Sequence, residues 1–363
     1  MQIVDAHVHC NSAQLAIDRI KEIFYSGIDK LAIVSYGHPP AAIRSGESVN
    51  TNIHALVAKL LFPGRVFAFG GLNYLPAVTL SADDFAVDLA AQVTQLMDSG
   101  FDGIKLLATK PSTYRQLPHK LHSEVFTPFF QEVERRRVPL IWHVGDPATF
   151  WNRESAPQIA VINDWCYDES FPSLEELRNQ VFTIMARHPK LIVIFAHFFF
   201  MATELERLSE LFERYPGLHI DITPGTELYC ELSAKPQLSR EFFIKYKERI
   251  IFGTDTCINK NGSFYDPGEQ GKVTWMRKFL ETDERFDLTT DYRDIQGLKL
   301  PQNVLHQIYT ENFYRLTARK PIPCSAAKVT AYGEAIVAAV KAAGYDDLEE
   351  DITALKLIRQ LPT

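Results

Sequence analysis

The chain has no cysteine motif, no excess of positive charge and no long apolar run. Its five cysteines are an odd number without Cys-x-x-Cys spacing, which argues against a disulfide framework and against a zinc site built from cysteines. The net charge of −7 gives no basic field that would favour nucleic acid or an anionic membrane. No apolar run reaches the roughly 18 residues of a membrane-spanning helix. These absences favour a small-molecule partner and argue against nucleic acid and membrane as partners.

Two further absences concern the N-terminal segment. It has no charged region followed by an apolar stretch and a cleavage site, so a cytoplasmic protein is expected. The turn after the first apolar segment, Cys10-Asn11-Ser12, lacks the glycines that mark the first turn of an open dinucleotide-binding sheet.

Apolar segments of strand length alternate with longer amphipathic segments along the chain. Such alternation indicates parallel strands joined by helices, and eight units favour a closed barrel. We therefore predict a (β/α)8 TIM barrel over residues 1–318 and a C-terminal helical appendage over 319–363, packed on the barrel or on a neighbouring subunit of a homo-oligomer. The predicted strands are 3–9, 30–36, 66–73, 103–108, 140–145, 191–198, 218–223 and 250–256. The predicted helices are 13–25, 51–61, 82–98, 122–137, 173–187, 202–215, 239–249, 271–280, 326–343 and 348–361.

Residues that commonly bind metals stand near the ends of four predicted strands. His7 and His9 end the first, His143 and His197 lie at the ends of the fifth and sixth, and Asp255 lies near the end of the eighth. Residues two apart on a strand share a face, and the carboxyl ends of barrel strands meet at one mouth. Neutral imidazoles with a carboxylate suit a divalent ion.

The alternation within two strands extends this interpretation. In the first strand, one face is expected to point into the barrel and the other to pack on helices. In the seventh, a polar set alternates with an apolar one. The expected interior set of the first strand is Ile3, Asp5, His7 and His9, against Val4, Ala6 and Val8 outside; the polar set of the seventh is His219, Asp221 and Thr223.

This order of ligand-type residues resembles the amidohydrolase superfamily, in the branch that includes aminocarboxymuconate-semialdehyde decarboxylase and related hydrolases and lactonases. Supporting motifs are Gly103-Ile104-Lys105-Leu106 and Asn312-Phe313-Tyr314-Arg315-Leu316. The likeness covers roughly residues 1–318. One departure is Phe198-Phe199-Phe200, where many relatives have glycines soon after the histidine. That difference affects the pocket shape, and so the substrate.

The resemblance implies a metal site and catalytic roles. His7, His9, His143 and Asp255 would bind one divalent ion, with zinc expected, manganese or iron as alternatives, and a second ion left open. A bound metal lowers the pKa of its water from about 15.7 towards about 7. His197 would then orient or deprotonate the nucleophilic water, and Asp255 would pass the proton to the leaving group.

Four residues are expected to contact substrate. Lys105 has three alternative roles: bridging two metal ions after modification by carbon dioxide, pairing with a substrate anion, or forming a structural ion pair with Asp221 or Asp5. The long loop after the fifth strand carries Trp151 and Arg153, which form either an apolar wall with an anion clamp or simply loop packing. The remaining candidate is His38, just after the second strand.

The sequence thus predicts a metal-dependent hydrolase acting on a small, anionic lactone, amide or ester. The alternative on the same site is a non-oxidative decarboxylase. A barrel that binds ligand without catalysis is the remaining alternative.

Overall fold

The computed structural model describes residues 1–37, 50–225, 227–258, 269–288, 293–345 and 348–360, with the side chains of 269 and 270 excluded. In these ranges one sheet contains nine strands in the order β8-β7-β6-β5-β4-β3-β2-β1-β9, all paired in parallel. Its strands are β1 Val4–Cys10, β2 Lys30–Val34, β3 Val66–Gly71, β4 Gly103–Thr109, β5 Pro139–Val144, β6 Ile192–Phe195, β7 Leu218–Asp221, β8 Ile250–Ile251 and β9 Thr256–Ile258. A separate antiparallel pair consists of β10 Arg285–Phe286 and β11 Ile295–Gln296.

Helices follow the strands, as the alternation predicts. Ser173 and Glu176 have the spacing of a capping box, and they form one at the start of the helix that begins at Leu174. The helices are α1 Ala13–Tyr25, α2 Asn52–Leu61, α3 Ala82–Ser99, α4 Pro111–Gln116, α5 Thr127–Arg136, α6 Gln158–Ile162, α7 Leu174–Arg187, α8 Leu205–Arg214, α9 Leu228–Ala234, α10 Pro236–Lys245, α11 Glu269–Glu281, α12 Gln302–His306, α13 Asn312–Leu316, α14 Ala326–Ala342 and α15 Glu349–Gln360. None of the helices in the described ranges has the length and apolar composition needed to cross a membrane.

The predicted eighth strand is divided into two short strands that close the sheet. β8 pairs with β7, and its continuation β9 pairs with β1. Between them, the Ala6 amide donates to the Phe252 carbonyl at 3.0 Å and the Asp255 amide donates to the His7 carbonyl at 2.9 Å. The TIM-barrel-like α/β fold is therefore confirmed, with Asp255 held directly beside β1.

The predicted interior face of β1 is wrong for the first half of the strand. Val4 and Ala6 pack in a cluster with alternate apolar residues of β2, β3, β5, β6 and β8, which fills the barrel. The pairing of β1 with β2 shifts between Asp5 and Val8, and Val8 packs in the larger core cluster that includes the helices. Such irregularities re-aim side chains near functional sites. The shift is why the alternation read from Ile3 does not continue to the histidines.

The Asn312 to Leu316 motif closes the floor of the barrel. The Asn312 side-chain amide donates to the Lys247 carbonyl at 2.6 Å and to the Ile250 carbonyl at 2.7 Å. Lys247 precedes β8, and Ile250 is its first residue. Phe313 contacts Phe67 edge-on, with ring centroids 5.0 Å apart. This motif therefore has a structural role at the end opposite the strand-end histidines.

The C-terminal helices α14 and α15 pack against each other and against α2. The Asn52 side-chain amide donates to the Tyr332 hydroxyl at 2.6 Å, and the Ile322 amide donates to the buried Asp102 carboxylate at 2.6 Å. Asp102 also pairs with Lys59 at 2.5 Å. The described appendage is thus attached to the outer helices of the barrel.

Candidate metal centre

Three donor side chains meet where β1 ends and β8 continues into β9. The ligand-type atoms of His7, His9 and Asp255 all lie within 4.8 Å of one another. Asp255 Oδ1 is 3.2 Å from His9 Nε2 and 3.6 Å from His7 Nε2. Asp255 has a left-handed backbone, with φ of 54°, an uncommon conformation that the hydrogen bond from its amide to His7 stabilises.

The partners of the two imidazoles define which nitrogen faces the centre. His7 Nδ1 lies 2.8 Å from Asp221 Oδ2, and His9 Nδ1 lies 2.9 Å from the Val34 carbonyl oxygen. Because a carbonyl or carboxylate oxygen accepts hydrogen bonds, each Nδ1 is the donor and each Nε2 keeps a lone pair. Both Nε2 atoms therefore suit metal coordination, oriented by partners beyond the centre.

The charge of Asp255 completes this donor set. Burial opposes ionisation, yet the neighbouring imidazoles of His9, His7 and His197 hold the pKa of Asp255 well below its usual value. Two neutral imidazoles and one carboxylate form a donor set that fits a divalent ion such as zinc. The residues brought together therefore fit the metal that the resemblance implies.

His143 lies nearby, but its ring nitrogen contacts a different residue, Asp146. Its Nε2 is 3.1 Å from Asp146 Oδ1, and its ring centroid is 4.9 Å from that of His197. Asp146 also accepts hydrogen bonds from Lys110 Nζ at 2.6 and 2.8 Å and from the Tyr167 hydroxyl at 2.5 Å. The structure brings His143 to the same mouth, but the three-donor group in the described residues does not include it.

His197 is positioned by the polar face of β7 and the residues after it. Its backbone amide donates to Asp221 Oδ1 at 2.8 Å, and its Nδ1 lies 3.1 Å from Thr223 Oγ1. The Thr223 hydroxyl proton is directed to Asp221 Oδ1 at 2.5 Å, so the Thr223 oxygen accepts from His197 Nδ1. This tautomer leaves His197 Nε2 as a proton acceptor. Burial lowers the pKa of His197 to about 3, so its ring is neutral at pH 7.

The aromatic triplet after His197 forms a left-handed turn. The φ angles of residues 197 to 200 are 56°, 58°, 58° and 51°, which L-residues rarely adopt in succession. The Arg178 guanidinium donates to the Phe200 carbonyl at 2.7 Å and to Glu204 Oε1 at 2.8 Å. Phe199 stacks on Phe195 with ring centroids 4.2 Å apart. The departure from the family pattern therefore has a structural account: buried phenylalanines and Arg178 hold the turn that carries His197.

Lys105 lies inside the centre. Its Nζ is 2.9 Å from His7 Nε2, and burial lowers the pKa of Lys105 to about 8. Because His7 Nδ1 is the donor to Asp221, the Lys105 ammonium donates to His7 Nε2. Its described hydrogen bond is thus to His7, while the Asp255 and Asp221 carboxylates favour its charged form. Asp221 is one of the two ion-pair partners predicted from the sequence.

The other three substrate-contact candidates differ in their placement. The Trp151 indole donates to the Pro172 carbonyl at 3.1 Å, and its ring centroid is 4.8 Å from that of Tyr167. Both contacts lie within the loop, as in the loop-packing alternative. Arg153 is exposed in a turn, and this conformation gives no support to an anion clamp. His38 lies outside the described residues.

Sequence reasoning did not assign three residues that shape the site. Asp146 follows His143 by three residues in a loop, and nothing in its local pattern indicates that it binds the histidine. Asp221 and Thr223 belong to the polar set of the seventh predicted strand, and Asp221 is also a predicted partner of Lys105, but that pattern assigns neither of them to a histidine. Their partners, His7 and His197, are distant in sequence, so the contacts depend on the closed sheet.

Comparison with known proteins gives one family and several structures of the same fold. Residues 65–316 match the family model described as Amidohydrolase. That segment contains His143, His197 and Asp255, whereas His7 and His9 precede it. No curated protein matches the chain in sequence.

Three solved structures illustrate the shared fold. An uncharacterized TIM-barrel protein from Bordetella bronchiseptica is 13% identical, with 87% of this chain and 98% of that chain covered and a TM-score of 0.53. The 5-carboxyvanillate decarboxylase from Sphingomonas paucimobilis is 13% identical, with 87% and 98% covered and a TM-score of 0.52. A 2,6-dihydroxybenzoate decarboxylase from Rhizobium is 16% identical, with 87% and 98% covered and a TM-score of 0.50. At these identities the likeness shows the fold alone.

Proposed function

The chain belongs to the amidohydrolase family, and from that premise we propose that it is a metal-dependent hydrolase that cleaves an ester, lactone or amide bond of a small substrate. The observation that carries the proposal is the meeting of His7 Nε2, His9 Nε2 and Asp255 Oδ1 beside a neutral His197. A hydrolase needs an activated water and a base to take its proton. These four side chains supply donors for an ion and an acceptor for the proton.

We propose His7, His9 and Asp255 as ligands of one divalent ion, with zinc preferred and manganese or iron as alternatives. Such an ion lowers the pKa of water and polarises a carbonyl group. His143 is the predicted fourth ligand. In this conformation its Nε2 contacts Asp146 instead of the three-donor group, so its role as a ligand stays a prediction. Metal analysis of a His143→Asn variant tests that ligand: loss of metal would support it, and full retention would contradict it.

His197 acts as the base in this proposal. Its Nδ1 donates to Thr223, so Nε2 accepts the proton of the attacking water. The low pKa of His197 keeps the ring in the accepting form at neutral pH. That proton would then pass through the Asp255 carboxylate to the leaving group as the scissile bond breaks. Lys105 is proposed to contact an anionic group of substrate, which it would do by exchanging its bond to His7 Nε2.

A non-oxidative decarboxylase is the second candidate. It is supported by the buried Lys105 ammonium, which suits a carboxylate at the centre, and by the two decarboxylases among the structures of the same fold.

The test is a reaction screen of the metal-loaded protein. Lactones, esters and amides are assayed for acid release, and aromatic carboxylates are assayed for carbon dioxide release. Hydrolysis that His197→Asn abolishes supports the first candidate. Carbon dioxide release without hydrolysis would replace it by the second.

A further inference from the structure

A cavity of about 60 Å³ lies beside His197, between the loops that follow β5, β6 and β7. One water molecule needs about 10–15 Å³ of such space, so the cavity accepts a group of about four to six heavy atoms. A cavity that holds benzene measures about 150 Å³. The size of this cavity therefore permits a short chain and excludes an aromatic ring.

The wall of the cavity is mostly apolar. Apolar side chains from all three loops reach it, and they present more of its surface than the polar groups do. Such a wall favours an uncharged group that leaves water when it enters. The described apolar lining residues are Pro147, Ala148, Leu174, Phe200, Ala202 and Leu228.

Three glutamates complete the wall, and each has its charge answered within the protein. Glu204 pairs with Arg178 at 2.8 Å, and Glu227 accepts a hydrogen bond from the Thr149 hydroxyl at 3.1 Å. Burial raises the pKa of Glu231 to about 7, which reduces its charge at neutral pH. The glutamates therefore do not require a charged ligand, and an uncharged one matches the rest of the wall.

Phe200 forms the aromatic part of this wall, next to the histidines. Its ring stacks on the His197 ring, with centroids 5.3 Å apart and planes at 22°, and meets the His143 ring edge-on at 5.7 Å. On the other side it packs on Gly225, where an added Cβ would lie 3.4 Å from Phe200 Cε1. The Arg178 guanidinium donates to the Phe200 carbonyl at 2.7 Å. The ring is therefore held in place, and it limits the size of the cavity.

The other two phenylalanines of the triplet have a different role. Phe198 and Phe199 are fully buried in the main core, whereas Phe200 is half-buried. Phe198 stacks on Phe243 at 5.8 Å. The departure from the family pattern thus places one of its three rings at the site.

An independent observation connects the cavity to the reaction centre. His197 is only 7% exposed and lines the cavity. Its amide and Nδ1 have partners in Asp221 and Thr223, whereas none of the described residues hydrogen-bonds its Nε2. A buried acceptor that no protein group satisfies is a group that a ligand is expected to meet. A molecule held in the cavity therefore reaches the proposed base.

We propose that this cavity is a substrate subsite for a short uncharged group, such as an alkyl chain, and that Phe200 is the specificity-determining residue that limits the length of that group. The inference rests on the proposed function, because it places the scissile bond of the same molecule at His197. It narrows the substrate class to molecules without an aromatic ring beside His197. The predicted anionic group of the substrate lies outside this cavity, at Lys105.

The test is ligand-observed NMR of the full chain with propionamide and benzamide, which share an amide and differ in an ethyl against a phenyl group. The unmodified protein should bind propionamide more tightly than benzamide. Phe200→Ala should bind benzamide at least tenfold more tightly than the unmodified protein does, because the phenyl group then fills the space that the Phe200 ring leaves. Its affinity for propionamide should change by less than about threefold.

Two further variants define the effect of the ring. Phe200→Leu keeps apolar packing at this position and should increase benzamide affinity by a smaller factor. Phe62→Ala is the matched control, since Phe62 is also a half-buried ring but packs on Phe24, outside the cavity wall. It should leave both affinities unchanged. Thermal melting of each variant establishes that it is folded before its binding is compared.

Three results would overturn the subsite: no propionamide binding by the unmodified protein, unchanged benzamide binding in both Phe200 variants, or an equal gain in Phe62→Ala. Because the readout needs no turnover, the predicted change in size preference together with a negative reaction screen would refute the proposed function and leave the subsite in place. A positive screen with an unchanged size preference would refute the subsite alone.

Discussion

Replacing Arg178 tests the idea that a charged clamp holds the left-handed turn under His197. Left-handed backbone costs about 1–2 kcal/mol per residue, so the four residues 197–200 together cost about 4–8 kcal/mol. Burial of Phe198 and Phe199 offsets about 1.5–3 kcal/mol each. The hydrogen bonds of Arg178 to the Phe200 carbonyl and to Glu204 supply part of the rest.

The expected magnitude follows from burial. The Arg178 side chain is only 4% exposed, whereas Glu204 is 34% exposed. Breaking a buried ion pair by removing one partner costs about 3–5 kcal/mol. Because Glu204 reaches solvent, we expect the lower end, about 3 kcal/mol of unfolding free energy, for Arg178→Met, which keeps the chain length and removes the charge.

The assay combines denaturant unfolding with hydrogen exchange. The matched control is Arg207→Met, since Arg207 pairs with the same Glu204 at 3.0 Å but is 36% exposed, and exposed pairs contribute about 0–1 kcal/mol. Amides of residues 197–204 should exchange faster in Arg178→Met than in the control. Equal destabilisation by the two variants, or unchanged exchange in this segment, would show that Arg178 does not hold the turn.

Three further predictions concern the histidines. His197→Asn should lower turnover by about 10² or more with metal content retained, as measured by steady-state kinetics and metal analysis; loss of metal with activity would instead make His197 a ligand. Thr223→Val should lower turnover with little change in KM, because it removes the partner of His197 Nδ1; an unchanged turnover would contradict the assigned tautomer. Burial lowers the pKa of His54 to about 4 and of His219 to about 3. Below pH 6.5, the pKa of a histidine in the unfolded chain, the unfolded chain binds protons that the folded chain does not. Stability that is present above pH 6.5 is therefore lost as the pH falls towards 4. The loss is up to about 1.4 kcal/mol per pH unit for each histidine. His219→Gln should therefore flatten the dependence of unfolding free energy on pH between 6.5 and 4, and an unchanged slope would contradict this.

The alternation of apolar segments was sufficient to predict the barrel and most of its helices. α1 begins and ends where its periodicity predicts, and the box at Ser173 is present. The positions of the histidines at the ends of predicted strands also place them at one mouth of the barrel, because the carboxyl ends of all its parallel strands lie at the same face. These features depend on local periodicity and on topology, which a sequence carries directly.

The remaining details depend on contacts that periodicity does not encode. A pairing shift between Asp5 and Val8 changes which side chains of β1 face inwards. His143 lies beside an aspartate whose ionised form Lys110 favours. The turn at Phe198 adopts backbone angles that no propensity for phenylalanine would suggest. Each of these features depends on a distant part of the chain, namely β2, Lys110 or Arg178, which only the closed structure brings into contact.

Metal stoichiometry of the purified, metal-supplemented protein tests whether His7, His9 and Asp255 hold a metal ion. We expect about one equivalent of a divalent ion per chain in the unmodified protein and in the control Glu210→Gln, which changes an exposed residue of α8. His9→Asn and Asp255→Asn should each lose that ion, because His9 Nε2 and Asp255 Oδ1 lie 3.2 Å apart in the same donor group. Full metal content in both ligand variants, or none in the supplemented unmodified protein, would contradict a metal centre at His7, His9 and Asp255.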